Sequence, residues 1–297
     1  MEDLGHSELF FGDYRDYWYN KDFLDLMAKR WNLGRFSSML DIGCGVCHWS
    51  LLLTPYLKPN ASITGYDNDI KWAGGNEEIK KKFKSFNANL DFVKGDAHRL
   101  PFDDNSFDLV TCQTVLIHLE NPEEALREMK RVVKKGGIVI CAEPNNLVGN
   151  VIKDSLSKDN TLDEKLEGLK YAVLWEQGKI KLKEGDNSFG DLLAGVMHQV
   201  GFVNLQTYLS DKAIPLYPPY TKDEQQATLQ SIKLWEKEKD TLKDIGRKYF
   251  ELLGEEELKY YNDCGAKNSE NKVLKSIERS EYYSGGATIM YLVSGEK

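Results

Sequence analysis

Between residues 36 and 143, short apolar runs alternate with longer segments whose apolar positions recur at helical spacing. Residues 38–42, 62–66, 90–94, 107–112 and 138–142 read as strands, and residues 46–56, 69–83 and 122–133 as helices. The last helix has Pro122 near its start, where a missing N–H costs nothing. Lys134-Lys135-Gly136-Gly137 reads as its end, with cations in the final turn and glycine just after. Ile138-Val139-Ile140-Cys141-Ala142 is continuously apolar, as expected of a strand buried on both faces. Alternation of this kind predicts a parallel sheet covered by helices.

The second half has a different pattern. Residues 145–185 are polar with a helical middle (Leu162, Leu166, Leu169, Val173). A helix over 189–200 stops at Gly201, and a strand follows over 203–209. Residues 211–285 carry almost no strand signal. There Ile232, Trp235, Leu242, Ile245, Tyr249 and Leu252 fall at steps of three, four and seven, which predicts one face of a helix. That stripe packs on the core or forms a dimer seam or membrane-surface helix; its mixed-sign polar face favours the core. Tyr217-Pro218-Pro219-Tyr220 reads as a turn, with an aromatic wall over an acceptor as the alternative. Residues 287–293 close the chain as a strand. The expected fold class is α/β: a Rossmann-like seven-stranded sheet, last strand antiparallel, flanked by helices and interrupted by two helical insertions.

Composition narrows the function. The chain has 297 residues, 41% of them apolar, which supports a sizeable core. A formal charge of −8 argues against non-specific nucleic-acid binding, which needs a positive field. The one dense basic run, Lys80-Lys81-Lys82 with Lys84, reads as a solvated helix face. No apolar stretch approaches the ~20 residues that span a bilayer. The acidic start, Met1 to His6, lacks the pattern of a secretory signal. Five cysteines fit reduced thiols in a cytoplasm. Cys44-x-x-Cys47 lacks further ligands at matching spacing, so no metal is expected and small buried hydrophobes explain the pair.

The chemistry gathers at the strand ends. Met39-Leu40-Asp41-Ile42-Gly43-Cys44-Gly45 runs an apolar strand into an acid and two glycines, a turn that lets backbone amides approach a ligand. Gly65-Tyr66-Asp67, Gly95-Asp96-Ala97 and Thr111-Cys112-Gln113 end the next three strands. In open α/β sheets, ligands sit outside these carboxyl ends. Asp67 is placed to accept from ribose hydroxyls, and Asp96 and Ala97 to read an adenine edge.

With Leu100-Pro101-Phe102, Phe107-Asp108-Leu109-Val110 and Arg131-Val132-Val133-Lys134-Lys135-Gly136-Gly137, these motifs resemble the core of the class I S-adenosylmethionine-dependent methyltransferases, of the broad type 11 small-molecule group, over residues 36–145. The resemblance implies S-adenosylmethionine as cofactor. It implies that Asp41, Gly43 and Gly45 line its methionine and ribose portions, that Asp67 and Asn68 hold the ribose, and that Gly95, Asp96 and Ala97 hold the adenine. It sets Gln113 beside the methionine part. Cys47 stands where the family has a third small residue of the loop, with His48 next. The resemblance fades across both insertions, and the expected domain plan follows from the strand and helix pattern. Residues 1–35 form a helical, aromatic segment over the cofactor. Residues 36–145, 186–210 and 286–297 form the cofactor domain. Residues 146–185 and 211–285 form a helical cap that selects the acceptor.

Within Phe10 to Tyr19, Arg15 is a candidate for the methionine carboxylate and Tyr14 or Tyr19 for the sulfonium by cation–π attraction; the other reading is a packed aromatic helix face. His118 is the candidate general base, against a packed or capping histidine. Pro144 biases Glu143 to an extended backbone and outward aim, where it contacts substrate or caps the insertion. His6, His98 and His198 read as structural or exposed. The expected function is methyl transfer to an O, N or C atom of a small molecule in the cytoplasm, with no nucleic-acid partner. The alternatives are a non-catalytic S-adenosylmethionine sensor or scaffold and an NAD-dependent oxidoreductase. The dinucleotide fingerprint wants glycine or alanine at its sixth position, where this chain has His48.

Overall fold

The computed structural model describes residues 13–69, 77–267 and 271–297. His6, the Phe10–Gly12 part of the aromatic segment and residues 70–76 of the predicted 69–83 helix lie outside them. The chain divides into two compact units.

The first is built from Tyr19–Asn145, Gly185–Asp211 and Ile289–Lys297. Its strands are β1 (Ser38–Ile42), β2 (Ser62–Asp67), β3 (Asn89–Lys94), β4 (Phe107–Gln113), β5 (Val133–Asn145), β6 (Val203–Leu209) and β7 (Ile289–Glu296). They form one seven-stranded sheet in the order β3-β2-β1-β4-β5-β7-β6. β1 to β5 are parallel, and β7 runs antiparallel to both β5 and β6. The expected fold class is therefore the observed one. The helices of this unit are α1 (Lys21–Arg30), α2 (His48–Leu53), α3 (Glu77–Ser85), α4 (Pro122–Val132) and α6 (Gly190–Val200); α5 (Leu162–Lys181) belongs to the other unit. Val110, Val139, Cys141 and Val293 of the sheet are buried against Leu126, Met129 and Val132 of α4 and Leu193 and Met197 of α6. In α3, Ile79 and Phe83 are buried and Lys81, Lys82 and Lys84 are exposed, the solvated face read from the basic run.

Two sequence motifs are tied together here. The Arg131 guanidinium donates to the Leu100 and Phe102 carbonyls (2.9 and 2.7 Å) and pairs with Glu128, which in turn accepts the Leu100 N–H. The loop before β4 is thus pinned to the end of α4.

Some boundaries differ from the sequence reading. The predicted helix 46–56 is shorter: α2 covers His48–Leu53, and a 3-10 turn (Thr54–Tyr56) carrying Pro55 follows. Lys134 to Gly137 do not end a helix. The last-turn cations of α4 are Lys130 and Arg131, Val133 is already extended, and it pairs with Phe107 as the first residue of β5.

The second unit comprises Asn146–Glu184, Lys212–Thr288 and the residues before Tyr19. Besides α5 it holds α7 (Asp223–Lys237), α8 (Lys239–Leu253), α9 (Glu255–Lys267) and α10 (Lys272–Glu278). Thr161 and Glu164 form a capping box at the start of α5, satisfying amide donors that the first turn cannot pair internally. An aromatic cluster joins α5, α8 and α9: Tyr171 stacks on Tyr261 (6.1 Å) and Trp175 meets Tyr249 edge-on (5.2 Å). A second cluster gathers Leu216, Tyr220, Leu229, Ile277 and Tyr282. Tyr217 to Tyr220 form a closed turn, the Tyr220 N–H donating to the Tyr217 carbonyl at 3.0 Å. The predicted single stripe from Ile232 to Leu252 is split. Glu238 (φ −94, ψ 14) separates α7 from α8, so Ile232 and Trp235 lie on a different helix from Leu242, Ile245, Tyr249 and Leu252.

Candidate cofactor-binding site

The strand order sets the ends of β3, β2, β1 and β4 side by side, so the motifs dispersed over seventy residues of sequence become neighbours. After β1 the chain turns sharply, with Gly43 at φ 62, Gly45 at φ 48 and Cys47 at φ 62, before α2 begins at His48. The Cys44 N–H donates to the Tyr66 carbonyl at 3.2 Å, and the Cys47 N–H donates to the Cys44 carbonyl at 2.7 Å. Gly43 has a packing reason for being glycine. A Cβ there would meet Val115 Cγ2 at 2.4 Å.

Asp67 ends β2 and organises this turn. Its Oδ2 accepts the Gly45 N–H at 2.9 Å and its Oδ1 the Asp69 N–H at 3.0 Å. A carboxylate offers about four acceptor sites, so lone pairs remain on a half-buried group. Asn68 beside it is exposed. Beyond β3, the Gly95 N–H donates to the Asp67 carbonyl at 2.9 Å. Asp96 Oδ1 takes both the His98 N–H (2.9 Å) and His98 Nδ1 (2.6 Å), which fits the Nδ1–H tautomer. The His98 amide and ring hold the Asp96 carboxyl below the usual range. Its Oδ2 is left to solvent, with the side chain 69% exposed. Ala97 is half-buried and packs on the core. His98, read from sequence as structural or exposed, fixes one oxygen of Asp96.

Asp41 is 1% exposed beneath the turn. Burial pushes its carboxyl up to about 7; the Ser50 hydroxyl and amide oppose this, and the charge of Asp67 adds to it. Its Oδ2 has no hydrogen-bond partner. A buried carboxylate oxygen without a donor is costly unless a cation or donor reaches it. With Asp67 and Asp96, it gives the strand ends a negative character that suits a cationic, hydroxyl-bearing ligand.

At the end of β4, Gln113 is buried and its Nε2 donates to the Tyr19 hydroxyl at 2.8 Å. The Tyr19 ring lies 5.2 Å from Trp49, whose Nε1–H donates to Thr111 Oγ1 at 2.6 Å. Thr111 in turn donates to the Ile140 carbonyl at 2.7 Å. This relay fixes Tyr19 beside Gln113. Trp49 was missed because it reads as an ordinary apolar position of a short helix; the signal is a polar partner on β4 visible only in the fold. Tyr14 and Arg15 belong to the other unit, where Tyr14 contacts Trp18 (5.7 Å) and Trp235 (6.4 Å) and Arg15 lies over Trp18 (5.1 Å).

His118 is half-buried at the end of a 3-10 turn, Leu116–His118. Glu143 corrects an expectation. Its backbone is extended, as Pro144 requires, but its side chain points inward and is 0% exposed. β5 continues through it to Asn145, paired with β7, so no outward cap begins there. The carboxylate instead accepts the N–H groups of Val115, Leu116 and Ile117 (2.9, 3.0 and 3.4 Å). Glu143 and His118 thus meet through one turn.

Residues 40–141 match a family model described as a methyltransferase domain. The chain is 38% identical over 112 residues to a demethylmenaquinone methyltransferase of Staphylococcus epidermidis, covering 38% of this chain and 45% of the relative. It is 36% identical over 117 residues to the enzyme of that name from Staphylococcus carnosus, covering 39% of this chain and 47% of the relative. The chain therefore matches less than half the length of these curated relatives. Among solved structures, the YcgJ protein of Bacillus subtilis aligns over 94% of this chain and 99% of its own, with a TM-score of 0.51 at 18% identity, a likeness of fold.

Proposed function

Because residues 40–141 are a class I S-adenosylmethionine-dependent methyltransferase domain, with S-adenosylmethionine as cofactor, we propose that the chain transfers a methyl group to a small-molecule acceptor. The observation that carries this is the pair of carboxylates Asp67 and Asp96 at adjacent strand ends, each with one role inside the protein and acceptor capacity left over. When bound, the cofactor would supply a sulfonium methyl group: a nucleophilic atom of the acceptor would bond the methyl carbon in line as its bond to sulfur breaks, with S-adenosylhomocysteine leaving as a neutral thioether.

The chain's own residues bind and orient. Asp67 accepts from the ribose hydroxyls while its bond to Gly45 keeps the turn in shape; Asn68 borders the same sugar. The open oxygen of Asp96 would accept from the adenine amino group, and the Ala97 N–H would donate to the ring. Asp41 balances the positive charge of the methionine portion through the buried turn. Gln113 and Tyr19, held by the Trp49–Thr111 relay, border the methionine end. Holding two reactants in line contributes several kcal/mol without any acid or base, up to roughly 7–11 in the best oriented cases. His118 takes a proton where the acceptor atom must lose one.

The acceptor named by the relatives belongs to those proteins. The matched stretch, residues 40–141, is about a third of the chain and carries the cofactor motifs, and acceptor choice resides outside it. The five cysteines are free thiols, which supports a reducing compartment, the cytoplasm. No helix among the described residues is long and apolar enough to cross a membrane. The test is transfer from methyl-labelled S-adenosylmethionine into fractions of a cell extract. Label in the low-molecular-weight fraction is expected. Binding of the cofactor with no label transferred would point to a sensor, and label confined to protein or nucleic acid would contradict the small-molecule reading.

A further inference from the structure

Glu143 touches none of the groups assigned to cofactor or acceptor, yet it is the most deeply buried acid of the sheet unit. Its Oε1 accepts the N–H groups of Val115 and Leu116 and lies 3.6 Å from the Cys112 thiol; its Oε2 accepts the Ile117 N–H. Burying a carboxyl drives its affinity for protons up, here to about 7, and these donors hold it down against that drift.

Its three amide partners are consecutive, at the start of a short helical turn. First-turn N–H groups have no partner inside their own helix and need an acceptor from elsewhere. Usually a Ser, Thr, Asp or Asn at the N-cap supplies it. The N-cap here is Val115, which has no polar side chain. The chain enters the turn through Thr114 at φ 52, a left-handed conformation that strains a non-glycine residue. So the turn after β4 lacks a local cap and begins at a strained residue. The acceptor comes instead from β5, nearly thirty residues later in sequence.

The other side of the turn is closed by backbone. Gly185 has φ +90, and a Cβ on it would lie 2.4 Å from the Ile117 carbonyl oxygen and 2.8 Å from the His118 carbonyl carbon. Ile117 is therefore held on both sides, its N–H by the Glu143 carboxylate and its carbonyl, which leads into His118, against the Gly185 backbone, with little room to shift.

We propose that Glu143 is a positioning residue: from β5 it caps the 115–118 turn and, with Gly185 opposite, fixes where His118 is presented at the end of β4. The clamp stands on geometry alone; its catalytic meaning rests on the reading of His118 as the proton acceptor in methyl transfer.

Glu143→Gln tests it through a single donor. The glutamine oxygen still accepts from Val115 and Leu116, whereas its amide group faces the Ile117 N–H donor to donor. Amide exchange and the ring resonances of labelled His118 are followed by NMR, with S-adenosylhomocysteine binding by calorimetry as the control. In E143Q the Ile117 amide should exchange about 10-fold faster or more, the scale of a lost bond to a charged group. Val115 and Leu116 should stay protected, His118 should shift, and S-adenosylhomocysteine affinity should hold. Unchanged Ile117 exchange and unchanged His118 resonances would overturn the proposal. Should E143Q fail to fold, the wild type decides: the amides of 115–117 exchanging as fast as exposed loop amides would equally overturn it, and strand-like protection would support it. Absence of S-adenosylhomocysteine binding in the wild type would instead remove the methyltransferase reading and leave the clamp to be judged by exchange.

Discussion

Gly43→Ala probes whether the glycine turn is required by the protein before any ligand arrives. The new methyl would sit 2.4 Å from Val115 Cγ2, 2.9 Å from Cγ1 and 3.2 Å from Cβ. Forcing an extra carbon into such a contact costs about 1–3 kcal/mol. The φ of +62 adds about 1–2 kcal/mol for any residue with a Cβ. The single variant should therefore lose about 2–5 kcal/mol. Val115→Ala removes both Cγ atoms and leaves only the 3.2 Å contact, so in that background Gly43→Ala should cost only the backbone part, about 1–2 kcal/mol. The coupling between the two sites is then about 1–3 kcal/mol, with the second substitution relieving the first. Urea unfolding of the four ligand-free proteins measures it. Equal costs of Gly43→Ala in both backgrounds would refute the reasoning and assign this glycine to ligand approach alone.

Removing the Asp67 carboxylate strips Gly45 and Asp69 of their amide acceptor together with the proposed ribose contacts. Asp67→Ala should weaken S-adenosylmethionine binding by about 1–3 kcal/mol, roughly 5- to 150-fold by calorimetry, and unchanged affinity would contradict the ribose assignment. Asp41 and Glu143 each have folded-state values raised to about 7. A raised acid favours the folded state in its protonated form, so their contribution is full below about pH 4 and is lost as pH rises to about 7. For Asp41 the loss is of order 4 kcal/mol. Asp41→Asn should flatten the fall in stability between these limits, and a pH series of unfolding midpoints identical to the wild type would show that this group is not titrating as its burial requires.

Much of the sheet was legible. Residues 38–42 and 203–209 were read with the limits found for β1 and β6; for β1 the reason is that an apolar run bounded by polar turns has few other ways to be buried, whereas β6 is mostly exposed and was marked by its β-branched and aromatic residues after Gly201. The acid and glycine placements were legible because each falls at a strand end. Other features were not, for reasons that lie in long-range contacts. No glycine or proline stands next to Glu238 within the stripe from Ile232 to Leu252, so nothing local marks the break between α7 and α8. Gly136-Gly137 resembles a helix stop, but Val133 is captured by β4, and the strand begins four residues before the second glycine. Glu143 illustrates the limit best. Pro144 correctly implies extended backbone, but the direction of the side chain is decided by three amides of a turn far away in sequence. Trp49 and His98 joined the candidate site only when Thr111 and Asp96 supplied their partners.

The central claim is that the Gly43–Cys47 turn, Asp67 and Asp96 form a site for S-adenosylmethionine. Calorimetric titration of the purified protein with S-adenosylmethionine and, separately, with NAD tests it most directly. Saturable one-to-one binding of S-adenosylmethionine with no heat from NAD is the predicted result. Binding of NAD with none of S-adenosylmethionine would contradict the account.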